Sequence, residues 1–121
     1  MTCILRVTAP GIADAAASGS GSFNPYRLEG QTAHFDVSPA AFDQLSQQIE
    51  DAIEFLRKHK QDVDVLMALP SSSGVLDFGV SQKYAGVQFG RFSAELVCLA
   101  GKAGLGLEIS LYPVEDEPAG A

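Results

Sequence analysis

The sequence predicts an α+β fold: an antiparallel or mixed five-stranded sheet with two main helices on one face, in the order β-β-α-β-β-α-β. Three observations predict it. Short runs alternate apolar and polar residues, as strands with one buried face do. Two longer stretches repeat apolar residues at three- and four-residue steps, the period of a helix packed along one side. The chain has 121 residues, 46% of them apolar, enough for one core without disulfides or metals.

The first strand runs from Thr2 to Thr8, with Cys3, Leu5 and Val7 inward against Arg6 and Thr8. Residues 9–30 then change character. Pro10, Gly11, Ala15-Ala16-Ala17 and Ser18-Gly19-Ser20-Gly21-Ser22 read as a partly flexible loop, anchored in its second half by Phe23, Tyr26 and Leu28. A second strand follows near Gln31–Val37, where Ala33, Phe35 and Val37 alternate with Thr32, His34 and Asp36.

The first main helix is expected directly after Ser38, with Ser38 as its N-cap and Pro39 at the first helical position. Phe42, Leu45, Ile49, Ile53 and Leu56 make its apolar stripe, and Asp43, Gln47, Glu50 and Glu54 its opposite face. Arg57-Lys58-His59-Lys60 suits the negative end of the helix dipole, which assigns His59 to that role. Val63–Leu69 reads as a short helix stopped by Pro70, with a strand as the alternative. Ser71-Ser72-Ser73-Gly74 reads as a loop.

A hairpin is expected next. Leu76, Phe78 and Val80 alternate with Asp77 and Gly79, and Val87 and Phe89 flank Gln88 across a longer loop through Ser81–Tyr84. Ser93 caps a second helix reaching Ala103, with Leu96, Val97, Leu99 and Ala100 apolar and Gly104 as a left-handed cap. In the last strand Leu107, Ile109 and Leu111 share one face, Glu108, Ser110 and Tyr112 the other, up to Pro113. One domain over residues 1–113 is therefore expected, with an acidic disordered tail over 114–121. From the second strand onward the order is the split β-α-β order of ferredoxin-like domains. The uncovered sheet face would carry His34, Asp36, Asp77, Gln88, Glu108 and Tyr112.

A net charge of −7 argues against nucleic acid and anionic membrane surfaces as partners, since both require clustered cations. The charge is local. Residues 38–56 contain four acids and no base, and Glu115-Asp116-Glu117 adds three more acids. No apolar run reaches the roughly 18 residues of a membrane span, and the N-terminus lacks a basic leader, so a cytoplasmic protein is expected. Cys3 and Cys98 both fall among apolar residues and read as buried, reduced thiols, with a disulfide between them left open.

The sequence contains no Gly-x-Ser-x-Gly elbow, no Cys-x-x-Cys pair and no His-Glu-x-x-His. Gly101-Lys102-Ala103-Gly104-Leu105-Gly106 leaves a helix rather than opening one, so it reads as a cap and not as a phosphate loop. Ser71–Ser73 has no evident base and stays a loop. His34 and Asp36 share a strand face, with Asp77 expected near them by sheet pairing; a His with two carboxylates suits general-base chemistry or metal ligation. The plainer alternative is a solvated polar sheet face. Asp43, Glu50, Asp51 and Glu54 form an acidic stripe, either a solvated helix face tempered by a Glu54–Lys58 pair or a docking surface for a basic partner. No cofactor or metal is expected.

Three segments carry a resemblance: Leu76-Asp77-Phe78-Gly79-Val80, Val87 through Leu96, and Leu107-Glu108-Ile109-Ser110-Leu111-Tyr112-Pro113. With Asn24-Pro25-Tyr26-Arg27 they resemble, over residues 23–113, a set of small uncharacterised bacterial proteins with similar Asp-Phe-Gly and Leu-Tyr-Pro strands. Ser93 stands where those proteins commonly have proline. Some of them look like immunity proteins of bacterial toxin systems. The resemblance implies binding rather than catalysis, and Asp77-Phe78-Gly79 is not a kinase motif because the other kinase elements are missing.

The expected function is a non-catalytic protein-binding module, in its specific form an immunity protein holding a basic toxin. Its contact residues would be Asp43, Glu50, Asp51 and Glu54 first, and His34, Asp36 and Asp77 second. One alternative is a small hydrolytic or metal-dependent enzyme using His34, Asp36 and Asp77. Another is a structural homodimer formed by edge strands or by the exposed sheet face.

Overall fold

The computed structural model describes residues 1–18, 21–83 and 87–113. In chain order the elements are β1 (Cys3–Thr8), α1 (Ile12–Ala17), β2 (Arg27–Glu29), β3 (Thr32–Ser38), α2 (Leu45–Lys58), α3 (Lys60–Met67), β4 (Ser73–Gln82), α4 (Ala94–Ala103) and β5 (Leu105–Pro113). The five strands lie in the order β2-β3-β1-β4-β5. The β2/β3, β3/β1 and β1/β4 pairs are antiparallel, and β4/β5 is parallel. The fold is α+β with a mixed open sheet, as the sequence predicts.

Alternation decides the two faces. Cys3, Leu5 and Val7 of β1, Ala33 and Phe35 of β3, and Leu76 and Phe78 of β4 are buried in one cluster with residues of the helices. The cover comes from Ile49, Ala52, Ile53 and Leu56 of α2, Val63 and Leu66 of α3, and Leu96 and Ala100 of α4. Burying a side chain of this size stabilises the fold by about 1.5–3 kcal/mol. The opposite sheet face carries the alternate residues.

The expected hairpin does not form. Leu76–Val80 lies inside the ten-residue β4, and no strand spans Val87–Phe89. Val87 and Phe89 are 98% and 87% exposed, so that segment offers no buried face to a sheet. β5 takes the place beside β4 instead, setting Leu107 against Leu76 and Ile109 against Phe78. The order is therefore β4-α4-β5, a parallel crossover, and the described residues do not follow the ferredoxin-like order.

The helix start also differs. Ser38 ends β3 and is buried, and α2 begins at Leu45 behind Gln44, which makes no side-chain cap. Residues 39–44 cross the end of the sheet, where Ser81 N–H donates to Phe42 O at 3.1 Å. Phe42 consequently leaves the helical stripe and packs against Tyr112 with the rings tilted and their centroids 5.0 Å apart. Residues 9–30, read as loop, contain α1 and β2; Gly11 (φ 79°) lets the chain turn into α1.

Two local expectations are met closely. Ser93 Oγ accepts from Leu96 N–H at 3.2 Å at the start of α4, and Gly104 closes that helix at φ 80°. The ambiguous segment 63–69 belongs mainly to a helix, α3. Cys3 is buried and free, whereas Cys98 is free but exposed, which corrects the expectation of two buried thiols. Burial, then Asp77, Asp36 and Asp51, push the Cys3 thiol far up. Among the described residues no helix is long and apolar enough to cross a membrane. The expected tail, 114–121, lies outside the described residues.

Candidate functional site

The uncovered sheet face is organised by Arg6. Its guanidinium bonds Asp77 Oδ2 at 2.7 Å and also bonds Glu108. Ser110 Oγ donates to the other Asp77 oxygen at 2.7 Å. Both carboxylate oxygens of the nearly buried Asp77 are thus engaged by neighbouring strands β1 and β5. Burial pulls the Arg6 pKa down, but the hydrogen bonds to Glu108 and Asp77 more than offset it, and the pKa is raised. This is a cross-strand clamp.

His34 has different neighbours from those expected. The register sets it opposite Arg6 on one side and Arg27 on the other. Burial, then Arg27, then Arg6 lower its pKa. Asp36 lies opposite Ile4, and Asp77 lies opposite the same Ile4 from the other side. Two strand spacings, about 9–10 Å, therefore separate the two acids. The structure does not bring His34, Asp36 and Asp77 together, and among the described residues no three such side chains form a metal-binding group. Gln88, expected on this face, instead fastens the segment after β4: it donates to Ser81 O at 2.7 Å and accepts from Lys83 N–H at 3.0 Å.

The acidic residues near α2 divide into three kinds. Asp51 accepts from Ser38 Oγ at 2.6 Å and from Gln47 Nε2 at 2.9 Å, so it ties α2 to the end of β3. Asp43 precedes the helix and lines a separate groove with Phe42, Leu45 and Phe89. Glu50 and Glu54 stand exposed one turn apart on α2, beside Gln47, Ile53, Arg57 and Lys58 in a shallow depression of about 640 Å³. Among the described residues neither glutamate joins an ion pair. The expected Glu54–Lys58 pair is not formed. Arg57, the next base, reaches Glu95 of α4 at 2.9 Å instead.

His59 is a second correction. It is 7% exposed, wedged against Phe55 and Phe23 with ring centroids 4.8 Å and 5.3 Å away. Burial first, then Lys58, lower its pKa against the opposing pull of Asp62. It closes α2 as a packed aromatic ring rather than as a surface cation.

Sequence reasoning missed Gln48, fully buried on the apolar side of α2. Its amide donates to Gly79 O at 2.8 Å and Ala41 O at 3.2 Å, fixing the segment that crosses the sheet end. A hint was available: Gln48 falls between Leu45 and Ile49 on the buried stripe. The groove near Asp43, about 480 Å³ and floored by Val80, Ile109 and Leu111, is also invisible to a reading that puts Phe89 in a strand.

No family model, curated protein or solved structure matches this chain.

Proposed function

We propose that this chain is a non-catalytic protein-binding module whose contact surface is the exposed acidic face of α2, and that its partner is a basic protein. The observation that carries the reading is the pair Glu50 and Glu54, exposed, one helical turn apart and without ion-pair partners among the described residues. Like charges at this spacing destabilise an isolated helix by a few tenths of a kcal/mol. A partner's Lys or Arg would relieve that repulsion and would also be steered toward the surface. Arg57 and Lys58, one turn further on, give the face a direction, so a fitting partner presents its cations toward the start of α2.

Asp51 supports the surface from beneath by holding α2 on β3, and Asp43 lies outside it. The finer form of the proposal follows the resemblance: an immunity protein that neutralises a basic toxin by occluding it. In this reading the chain is one of the small bacterial proteins it resembles and acts in the cytoplasm.

Hydrogen exchange on the chain, alone and with the partner recovered from its own cells by a tagged copy, tests the reading. Protection concentrated over Leu45–Lys58 is the expected result. Protection confined to the β1–β3 face, around His34 and Asp36, would overturn it.

A further inference from the structure

The two edges of the sheet are built differently. β2 is three residues long and carries Arg27 and Glu29, an ion-paired, charged edge of the kind that blocks unwanted pairing. β5 is nine residues long, pairs with β4 without a bulge, and has Glu108 as its one charged residue. Arg6 already neutralises Glu108. Among the described residues no backbone group pairs along the outer edge of β5. Ile109 and Leu111 stand 43% and 57% exposed on its helix-side face. Such an edge is a template for another strand.

We infer that β5 pairs antiparallel with β5 of a second copy of this chain, centred on Ile109, so that two sheets join into one. This surface is separate from α2, and the inference does not rest on the binding function proposed above.

The register follows from the strand's own residues. Centring on Ile109 uses the whole of Leu105–Pro113. It sets Ile109 against Ile109, Leu107 against Leu111, Glu108 against Ser110 and Gly106 against Tyr112 of the second copy. Directly opposed residues have Cβ atoms about 4.5–5.5 Å apart, so the apolar residues form a continuous strip, and Tyr112 covers the bare glycine. A shift to Glu108 opposes two glutamates. A shift to Ser110 leaves Leu105 and Gly106 unpaired, whereas the Ile109 register pairs the strand over its full length with Pro113 at its end, opposite Leu105. Like-charge repulsion and the lost paired length select the Ile109 register.

The neighbouring helix fits the same arrangement. Glu95 of α4 reaches Arg57 of α2, so the far side of α4 carries Val97 and Gly101. Val97 is 49% exposed, and a Cβ at Gly101 meets open space. A second α4 can therefore approach over the joined strands without displacing a bulky side chain. At the other end, Phe89 lines one groove with Ile109 and Leu111, where Leu107 of the second copy arrives.

Sedimentation equilibrium of the full chain, with register-specific cross-linking in a Cys98→Ser background, tests the inference. The wild-type chain is expected at twice its monomer mass by about 100 μM and to associate more tightly as salt rises, because each copy carries −7. Ile109→Lys should weaken the dimer at least tenfold with an unchanged far-ultraviolet spectrum. Ile109→Cys should oxidise to a disulfide-linked dimer. Leu107→Cys and Leu111→Cys chains should cross-link when mixed and not singly. A monomer at all concentrations overturns the inference, and so does cross-linking that ignores this register.

Discussion

Ser38 Oγ donates to Asp51 Oδ2 at 2.6 Å, joining the buried end of β3 to the second turn of α2. Ser38 Oγ also accepts from Ala40 N–H at 3.1 Å, so one hydroxyl both turns the chain out of the sheet and holds the helix that follows. The bond is charge-assisted at its acceptor and should contribute about 1–2 kcal/mol. Ser38→Ala should lower the urea midpoint accordingly. Asp51→Ala should cost at least as much, because it strands a buried hydroxyl. Asp51→Ala should weaken partner binding less than Glu50→Ala does. The reverse ranking would move Asp51 into the contact surface.

Gly79 is required by a close approach. A Cβ there would sit 2.9 Å from Thr2 O and 2.9 Å from the Phe42 ring. The ring can shift, but the Thr2 carbonyl, just before β1, cannot shift without breaking its bond from Gly79 N–H, which is 2.7 Å long. Gly79→Ala should therefore cost about 1–3 kcal/mol. Thermal melts of this variant beside Gly101→Ala, where the space is open, measure the difference. Equal melting temperatures would contradict the crowding.

The Arg6–Asp77 clamp should be structural. Asp77→Ala leaves a partly buried guanidinium with only Glu108, and a loss of about 1–3 kcal/mol is expected. Arg6 keeps 27% side-chain exposure, so water softens the cost toward the lower end. Asp77→Asn keeps one oxygen to accept from Arg6 and turns its NH2 to donate to the Ser110 hydroxyl, so it should cost less than Asp77→Ala. A double-mutant cycle over Arg6 and Asp77, read by urea unfolding, measures the coupling. Zero coupling would contradict the clamp.

His59 should make stability fall in mild acid. Its folded pKa is held below the unfolded 6.5 by burial, so the folded state binds fewer protons than the unfolded chain. Stability is complete above the unfolded value and is lost as pH falls through the lowered folded value. His34 is shifted in the same direction and adds to the slope. His59→Phe keeps a ring between Phe23 and Phe55 and removes one titration. Urea midpoints between about pH 7.5 and about pH 5 should therefore fall less in this variant than in wild type. An equal or steeper fall would contradict the assignment.

Local signals were legible in the sequence where they depended on neighbours in the chain. The alternation of β1, β3 and β5, the Ser93 and Gly104 caps and the buried stripe from Ile49 to Leu56 all follow from period and capping chemistry. What the sequence hid was set by contacts between distant residues. Ser38-Pro39 has the composition of a helix start, yet the hydroxyl is taken by Asp51 and the helix waits until Leu45. Val87 and Phe89 alternate like a strand, yet β5 fills the place beside β4. His34 and Asp36 share a face as expected, but pairing with Arg6, Arg27 and Ile4 decides their neighbours, and no spacing within one strand reveals that. Of the acidic stripe, exposure of Glu50 and Glu54 was legible, while the structural duty of Asp51 was not.

Titration calorimetry of the recovered partner against wild type and Glu50→Lys/Glu54→Lys, at low and high salt, tests the α2 contact most directly. Wild-type binding should weaken as salt rises, and the double reversal should bind at least tenfold more weakly with a flatter salt dependence. Unchanged affinity and unchanged salt dependence in the reversed chain, with its fold intact, would contradict the acidic face as the contact surface.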